Sequence, residues 1–190
     1  MDDKRDIRFQ ALKARRALPA DEHHHASIRI QNTLLAWINA MDAAHYPLLT
    51  YRAMSDEVNT DHLFTAHTGR IFAPVTHERG HMHWHEVTPD TAWQRGALDV
   101  REPRDGPTWE PATGRAILAC PLVAFDRHGN RLGLGKGCFD LWLSRFRSDI
   151  FAVAGLAFAC QEVPEVPVEA HDIPMDYVIT EHEVITCRIS

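Results

Sequence analysis

The sequence predicts one α/β domain, residues 1–190, with a mainly parallel sheet flanked by helices in a Rossmann-like layered architecture. Apolar runs of strand length alternate with segments whose apolar residues recur at helical spacing, which is the pattern of strands connected through helices. Residues 116–121 form a continuous apolar run, as expected of a strand that is covered on both faces. A chain of 190 residues is also the usual size of a single domain and can bury a core without disulfides.

Two helices are predicted at the start of the chain. Residues 3–18 form a basic helical segment, and Pro19 ends it. A second helix is expected over about residues 20–40, because its apolar residues recur at helical spacing. Two more are expected further on, a short one over residues 59–69 and one that begins near residue 139.

Strands are predicted where the period changes or where apolar residues run together. Residues 88–114 contain several prolines and glycines without periodicity and are expected to be mostly loop. The predicted strands are residues 46–51, 70–74, 81–87, 116–121 and 152–158, with one or two more within residues 177–187.

Composition excludes several classes of protein. Twenty basic and 26 acidic side chains give a net charge of −6, so nothing general points to nucleic acid as a partner. No apolar stretch approaches the ~20 residues of a membrane span, and the polar N-terminus lacks a secretory signal. The four cysteines show no CxxC spacing, which argues against a zinc ribbon or redox dithiol, and Cys120 and Cys160 are expected to be buried. We expect a cytoplasmic monomer without a membrane partner.

A glycine-rich segment after the apolar run is the strongest candidate for a functional site. Glycines stand at positions 129, 133, 135 and 137, ahead of a predicted helix, so backbone N–H groups there can approach an anion closely. Arg131 and Lys136 supply positive charge for phosphate oxygens, and Asp140 is a candidate Mg²⁺ ligand. The alternative is a tight turn whose glycines only relieve backbone strain. The segment matches neither the P-loop nor the dinucleotide-binding motif.

Several segments together resemble the 5-formyltetrahydrofolate cyclo-ligase family, also called methenyltetrahydrofolate synthetase. The resemblance extends over nearly the whole chain and keeps the order of the family's motifs. The matching segments are residues 4–8, 55–60, 102–103, 121–126, 129–137, 167–172 and 178–180, together with Gln161.

The resemblance implies the reaction. The family uses MgATP to convert 5-formyltetrahydrofolate into 5,10-methenyltetrahydrofolate, releasing ADP and phosphate. The formyl oxygen takes the γ-phosphoryl group, N10 attacks the same carbon, and phosphate leaves as the ring closes. Such phosphoryl transfer asks the protein mainly for positioning and for cations that stabilise the developing charge.

The resemblance also implies the site residues. Arg131 and Lys136 are the catalytic cations, and Asp140 and Asp172 are the Mg²⁺ ligands. The reduced folate contacts Arg52, Glu57 and the loop residues Leu134, Gly135, Lys136, Gly137 and Cys138. ATP binds Lys4, Arg8, Arg131, Leu132, Gly133, Leu134, Gly135, Lys136, Gly137, Cys138 and Phe139. Without the family, Lys4 and Arg8 would be read as a solvated basic helix face, and Asp172 as a turn residue.

This chain departs from the family pattern at the loop. The family usually has G-Y-Y-D-R where this chain has Gly137-Cys138-Phe139-Asp140-Leu141. Two tyrosine hydroxyls and one arginine are therefore missing, and Arg52 stands where an apolar residue is common. We expect activity to be retained. The alternatives are a nucleotide- or folate-binding relative without turnover, and a related ATP-dependent enzyme for another formyl or amide substrate.

Histidines provide a second, weaker signal. His81, His83 and His85 alternate, so they would share one strand face, and three imidazoles on one face can bind zinc. The corresponding strand has no metal role in the family, so an adventitious metal site is the other interpretation.

Overall fold

The computed structural model describes residues 3–96 and 99–187, apart from the side chain of Arg79. Within these residues, seven strands form one sheet with helices on both faces, so the predicted α/β class is confirmed. The helices are α1 (Lys4–Arg16), α2 (Ala20–Ala40), α3 (Leu63–Ala66) and α4 (Cys138–Phe146). No described helix is both long and apolar enough to cross a membrane.

The strands are short, as is common in a parallel sheet. They are β1 (Leu48–Leu49), β2 (Ile71–Thr76), β3 (Met82–Glu86), β4 (Trp93–Arg95), β5 (Arg101–Pro103), β6 (Ala116–Pro121), β7 (Ala124–Phe125), β8 (Arg131–Leu132), β9 (Ile150–Leu156), β10 (Tyr177–Ile179) and β11 (Val184–Thr186).

The main sheet has the strand order β11-β10-β9-β6-β1-β2-β3. The five inner strands run parallel, while β3 and β11 pair antiparallel at the two sides. The chain passes from β1 to β2 on one side and later returns to place β6 on the other side of β1. This reversal opens a crevice at the carboxyl ends of β1 and β6, the place where open α/β sheets commonly bind ligands.

Alternating strand residues explain the two covered faces. Leu118 and Val153 point to a core formed with α4 and several tryptophans, whereas Ile117 and Ala154 point to a core formed with α2 and α3. Residues 116–121 are therefore buried on both faces of the sheet, as their continuous apolar run predicts.

Helix α1 packs apart from these two cores. Its Ile7 and Ala11 contact a small cluster that includes Val123, Leu132 and Val166. The helix begins after Asp3, whose carboxylate accepts a hydrogen bond from the backbone N–H of Arg5 at 3.4 Å, and it ends before Pro19. This position brings the N-terminal residues of α1 alongside β8 and the glycine loop.

The predicted loop over residues 88–114 is partly wrong. Strands β4 and β5 form a two-stranded antiparallel ribbon there, and the backbone of residues 107–109 bonds to β3. Pairing between strands that have few apolar residues supplies the stability, so hydrophobic periodicity gives no signal. The hairpin β7–β8 inside the glycine-rich segment was also missed.

Other boundaries shift by a few residues. The helix predicted over 59–69 is only Leu63–Ala66, and the strand predicted at 152–158 lies at Ile150–Leu156. Cys120 is fully buried as predicted, but Cys160 is exposed, because it lies in a single helical turn after β9 rather than in the strand. His81 precedes β3, so only His83 and His85 share the strand face.

Candidate active site

One cleft of about 410 Å³ lies at the carboxyl ends of β1, β2 and β6. Every residue that the sequence assigned to ATP, folate or Mg²⁺ lines it. These residues are Lys4, Arg8, Arg52, Glu57, Arg131, Leu132, Gly133, Leu134, Gly135, Lys136, Gly137, Cys138, Phe139, Asp140 and Asp172. The fold thus brings together positions that are up to 168 residues apart.

The glycine loop forms an exposed wall of this cleft. Gly135 and Gly137 have φ values of +98° and +63°, a backbone conformation that favours glycine. A Cβ atom built at Gly133 or Gly137 would meet nothing within 4 Å, so packing does not require these glycines. Gly129 is different, because a Cβ there would lie 2.4 Å from the Met175 carbonyl oxygen. Backbone conformation therefore favours glycine at Gly135 and Gly137, and close packing requires it at Gly129, while residues 133–137 stay exposed at the cleft.

Arg131 is a buried cation that its hydrogen bonds hold in place. Its side chain is only 5% exposed, and its Nη2 donates to Asp140 Oδ1 at 2.7 Å. The same carboxylate oxygen accepts from the backbone N–H of Ile173 at 3.2 Å. Arg131 therefore links the glycine loop, α4 and the segment before β10. Lys136, by contrast, is exposed and has no ion pair within residues 3–96 and 99–187.

Lys4 and Asp172 form the second charged pair at the cleft. Lys4 Nζ lies 3.0 Å from Asp172 Oδ2 and 3.3 Å from Glu169 Oε2. Partial burial lowers the pKa of Lys4, but both carboxylates outweigh it and leave that pKa raised. Partial burial raises the pKa of Asp172, but the backbone N–H of Glu169 and the Lys4 ammonium leave it lowered overall. Both groups are therefore charged at neutral pH.

Two site residues near Asp172 were missed from the sequence. Glu169, His171 and Asp172 each offer a donor atom, and these atoms lie within 4.8 Å of one another. Their i, i+2 and i+3 spacing just before Pro174 is the only signal that the sequence carries. Arg8 completes this end of the cleft, since its Nε donates to the Gly133 carbonyl oxygen at 2.8 Å.

The opposite end of the cleft contains Glu57 and Arg52. Glu57 is 8% exposed and its Oε2 accepts from the backbone N–H of Met54 at 2.9 Å. Burial raises the pKa of Glu57, which makes this carboxyl a hydrogen-bonding group that is costly to ionise. The guanidinium carbon of Arg52 lies 4.3 Å from the ring centres of both Phe64 and Trp93. This pair of cation–π contacts holds Arg52 at the cleft wall.

Comparison with known proteins identifies the family. A sequence profile of the 5-formyltetrahydrofolate cyclo-ligase family matches residues 1–181. The chain belongs to this family. A 5-formyltetrahydrofolate cyclo-ligase of Haemophilus influenzae is 30% identical over 178 residues, which cover 90% of this chain and 94% of that protein. The mouse 5-formyltetrahydrofolate cyclo-ligase is 29% identical over 197 residues, covering 94% of this chain and 93% of its own length.

Solved structures give the same result. The 5,10-methenyltetrahydrofolate synthetase of Aquifex aeolicus superimposes with a TM-score of 0.80 at 26% identity, covering 98% of this chain and 94% of that one. The cyclo-ligase family, and with it an enzyme, is thus confirmed as predicted. The roles of individual residues, the monomeric state and the cytoplasmic location stay predictions.

The departures from the cyclo-ligase pattern fall into two groups. Cys138 and Phe139 line the cleft, and the Phe139 ring packs edge-on against Trp84 with centres 6.3 Å apart. Leu141 lies outside the cleft lining on the exposed side of α4. Burial raises the pKa of the Cys138 thiol, which disfavours the thiolate that a nucleophile needs. Of the three departures at the loop, only Cys138 and Phe139 stand where a substrate can contact them; Arg52, the departure outside the loop, also lines the cleft.

Proposed function

We propose that the protein catalyses MgATP-dependent conversion of 5-formyltetrahydrofolate into 5,10-methenyltetrahydrofolate, with release of ADP and phosphate. One observation carries this beyond family membership. An open glycine loop lines a single cleft together with the cations Lys4, Arg8, Arg131 and Lys136 and the carboxylates Asp140 and Asp172. Backbone N–H groups and flexible cations are the groups that hold transferring phosphates.

The ATP phosphates are proposed to lie along Arg131–Phe139, with Lys4 and Arg8 reaching them from α1. Gly137, which precedes α4, has no side chain that could cap the helix, so the first N–H groups of α4 remain available to an anion. Lys136 is the loop cation that is free to follow the γ-phosphoryl group during transfer. Arg131 acts from a fixed position, because Asp140 and the Ile173 carbonyl oxygen hold it.

Mg²⁺ fits the donor set at this end of the cleft. It prefers oxygen ligands and usually binds through one or two carboxylates plus phosphate oxygens and water. Asp140 and Asp172, both in the cleft lining, would hold the ion, and Glu169 is a further carboxylate within 4.8 Å of Asp172. When bound, the ion neutralises charge on the phosphates.

The chemical steps then follow from positioning. The formyl oxygen attacks the γ-phosphorus, and the bond from that phosphorus to the bridging oxygen breaks, releasing ADP. N10 next attacks the activated formyl carbon, and the carbon–oxygen bond breaks to release phosphate as N10 loses its proton. Arg52, Glu57 and loop residues Leu134–Cys138 are proposed to hold the folate so that its formyl group faces the γ-phosphate.

The proposal is tested by mixing the protein with MgATP and 5-formyltetrahydrofolate and following methenyltetrahydrofolate by near-ultraviolet absorbance. We expect an ATP-dependent rise, and Lys136→Met is expected to lower kcat about 10²–10³-fold, because it removes a cation from the transition state. Lys13→Met is the matched control, since Lys13 is an exposed lysine of α1 outside the cleft.

Each other outcome points to a different function. ATP and folate binding without ADP release would indicate a binding protein without turnover. ADP release with another formyl or amide acceptor, but little with 5-formyltetrahydrofolate, would indicate a changed substrate. Equal rates for Lys136→Met and wild type would contradict the assignment of the loop.

A further inference from the structure

Three histidine rings form a row on the β2–β3 hairpin, away from the cleft. His77 Nε2 lies 2.8 Å from His83 Nδ1, and His83 Nε2 lies 3.0 Å from His85 Nε2. His83 and His85 alternate with Met82 and Trp84 along β3, so they point to the opposite side of the sheet from Met82, which lines the cleft. Neither the proposed reaction nor its substrates use these rings.

The hydrogen bonds at the two ends of the row determine which ring nitrogen carries a proton and which has a free lone pair. His85 Nδ1 lies 2.7 Å from the Gly106 carbonyl oxygen, so Nδ1 carries the proton and Nε2 is left with a lone pair. In the metal-free row His83 Nε2 then donates to His85 Nε2. The proton of His83 can instead sit on Nδ1, which then donates to His77 Nε2. In that case the Nε2 atoms of His83 and His85 each have a free lone pair, and the two atoms lie 3.0 Å apart.

This second arrangement is that of a metal-binding histidine pair. A ligating imidazole almost always donates its other N–H to a carbonyl, carboxylate or similar acceptor, which orients the ring. The Gly106 carbonyl oxygen would serve His85 in this way, and His77 would serve His83.

The spacing of the two nitrogens allows both to bind one ion. Two nitrogens 3.0 Å apart, each about 2.0–2.1 Å from one ion, subtend an angle of about 90° at it. That angle suits tetragonal or octahedral coordination, which Ni²⁺ and Cu²⁺ prefer, rather than the tetrahedral coordination of structural Zn²⁺. We propose that His83 and His85 form a surface site for such a divalent late transition-metal ion, with Nε2 of each ring as ligand, water at the remaining positions, and His77 as a positioning residue.

Ni²⁺ is the probe, because it is not reduced by the exposed thiol of Cys160. We expect calorimetric titration of the full chain to show a Ni²⁺ site. His83→Ala and His85→Ala should each lower the Ni²⁺ affinity of this site by more than ~10–100-fold, which is the loss expected when only an outer hydrogen-bond partner is removed. His77→Ala is expected to weaken it within that range. His81→Ala is the matched control, since it removes an imidazole from the same hairpin and should leave the affinity unchanged.

A measurement on the unaltered protein keeps the proposal independent of how the variants fold. In NMR spectra, substoichiometric paramagnetic Ni²⁺ should broaden the ring resonances of His83 and His85 before those of His23, His24 or His171. Equal Ni²⁺ affinity in His83→Ala, His85→Ala and His81→Ala, or earlier broadening at other histidines, would overturn the site.

Discussion

At the scale of single residues, both proposed Mg²⁺ ligands already have a cation beside them. Asp140 bonds to the buried Arg131, and Asp172 bonds to the partly exposed Lys4. The difference in burial gives the two cations different roles, because a buried, doubly bonded guanidinium keeps its position whereas a lysine ammonium can turn toward a phosphate. Under the proposed function, Lys4 is therefore the group expected to exchange a carboxylate for a phosphate when MgATP binds.

Cys138 supplies a prediction at the same scale. Its thiol lines the cleft, but burial raises its pKa, and the nearest polar partner of its Sγ is the Lys136 carbonyl oxygen at 4.0 Å. No described side chain is placed to take its proton. Cys138→Ala is therefore expected to change kcat by less than about threefold, since the fold-changes of covalent catalysis are far larger. A loss of about a thousandfold in the steady-state assay would show that the thiol takes part in the chemistry.

At the scale of elements, a buried ion pair joins the apolar contacts that hold helix α1 in position. Arg15 is 2% exposed; its Nη1 donates to the Leu122 carbonyl oxygen at 3.1 Å, and its Nη2 lies 3.0 Å from Asp56. Leu122 directly follows β6, so this contact fixes α1 against the end of the strand that borders the cleft. The docking of α1 is what brings Lys4 and Arg8 to the cleft.

The docking can be tested by comparing two arginines that share Asp56. Arg15→Ala is expected to lower the free energy of unfolding by about 3 kcal/mol, because it leaves a partly buried carboxylate without its inner partner. Arg16 Nε also lies 2.8 Å from Asp56, but the Arg16 side chain is 63% exposed. Arg16→Ala should therefore cost less than about 1 kcal/mol.

The free energy of unfolding of both variants and of wild type is measured by urea denaturation. Similar losses of unfolding free energy in the two variants would show that the burial of Arg15 does not make its ion pair with Asp56 stronger than that of the exposed Arg16. If Arg15→Ala loses much of its stability, its KM for ATP should also rise, because Lys4 and Arg8 belong to the same helix.

At the scale of the whole molecule, the predictable parts are those that local pattern determines. The apolar stripe of α2 and the apolar run of β6 each had to be buried, so the sequence alone predicts both elements and the faces they cover. The motifs that resemble the cyclo-ligase family also located the cleft residues from Lys4 to Asp172.

The parts that were missed depend on contacts between distant segments. Ribbon β4–β5 exists because two polar segments pair with each other, and Arg52 lies on Trp93 because that ribbon folds over the end of β1. His77 joins the histidine row only because β2 and β3 form a hairpin. Neither periodicity nor composition encodes which segments meet, since such pairing is decided by the complete fold.

Stability of the whole fold against acid is expected to depend on His67. Burial lowers the pKa of this imidazole, partly opposed by its hydrogen bond to the Tyr46 carbonyl oxygen at 3.3 Å. The unfolded chain therefore binds a proton at His67 more readily than the folded chain does. The free energy of unfolding therefore rises with pH between the lowered pKa of His67 in the folded chain and the ordinary histidine pKa of 6.5. The contribution of His67 is fully present above pH 6.5 and is lost as the pH falls below it.

His67→Gln is expected to reduce this dependence, because glutamine does not titrate. The free energy of unfolding is measured in urea at pH 8.0 and at pH 5.5. The difference between these two values should be smaller in the variant than in wild type, even if the substitution changes the stability at both pH values by the same amount. His24→Gln, at an exposed position of α2, is the control and should follow the wild-type difference. If His67→Gln and wild type lose the same stability on acidification, another group is responsible, and the half-buried imidazole of His67 is not what limits this fold at low pH.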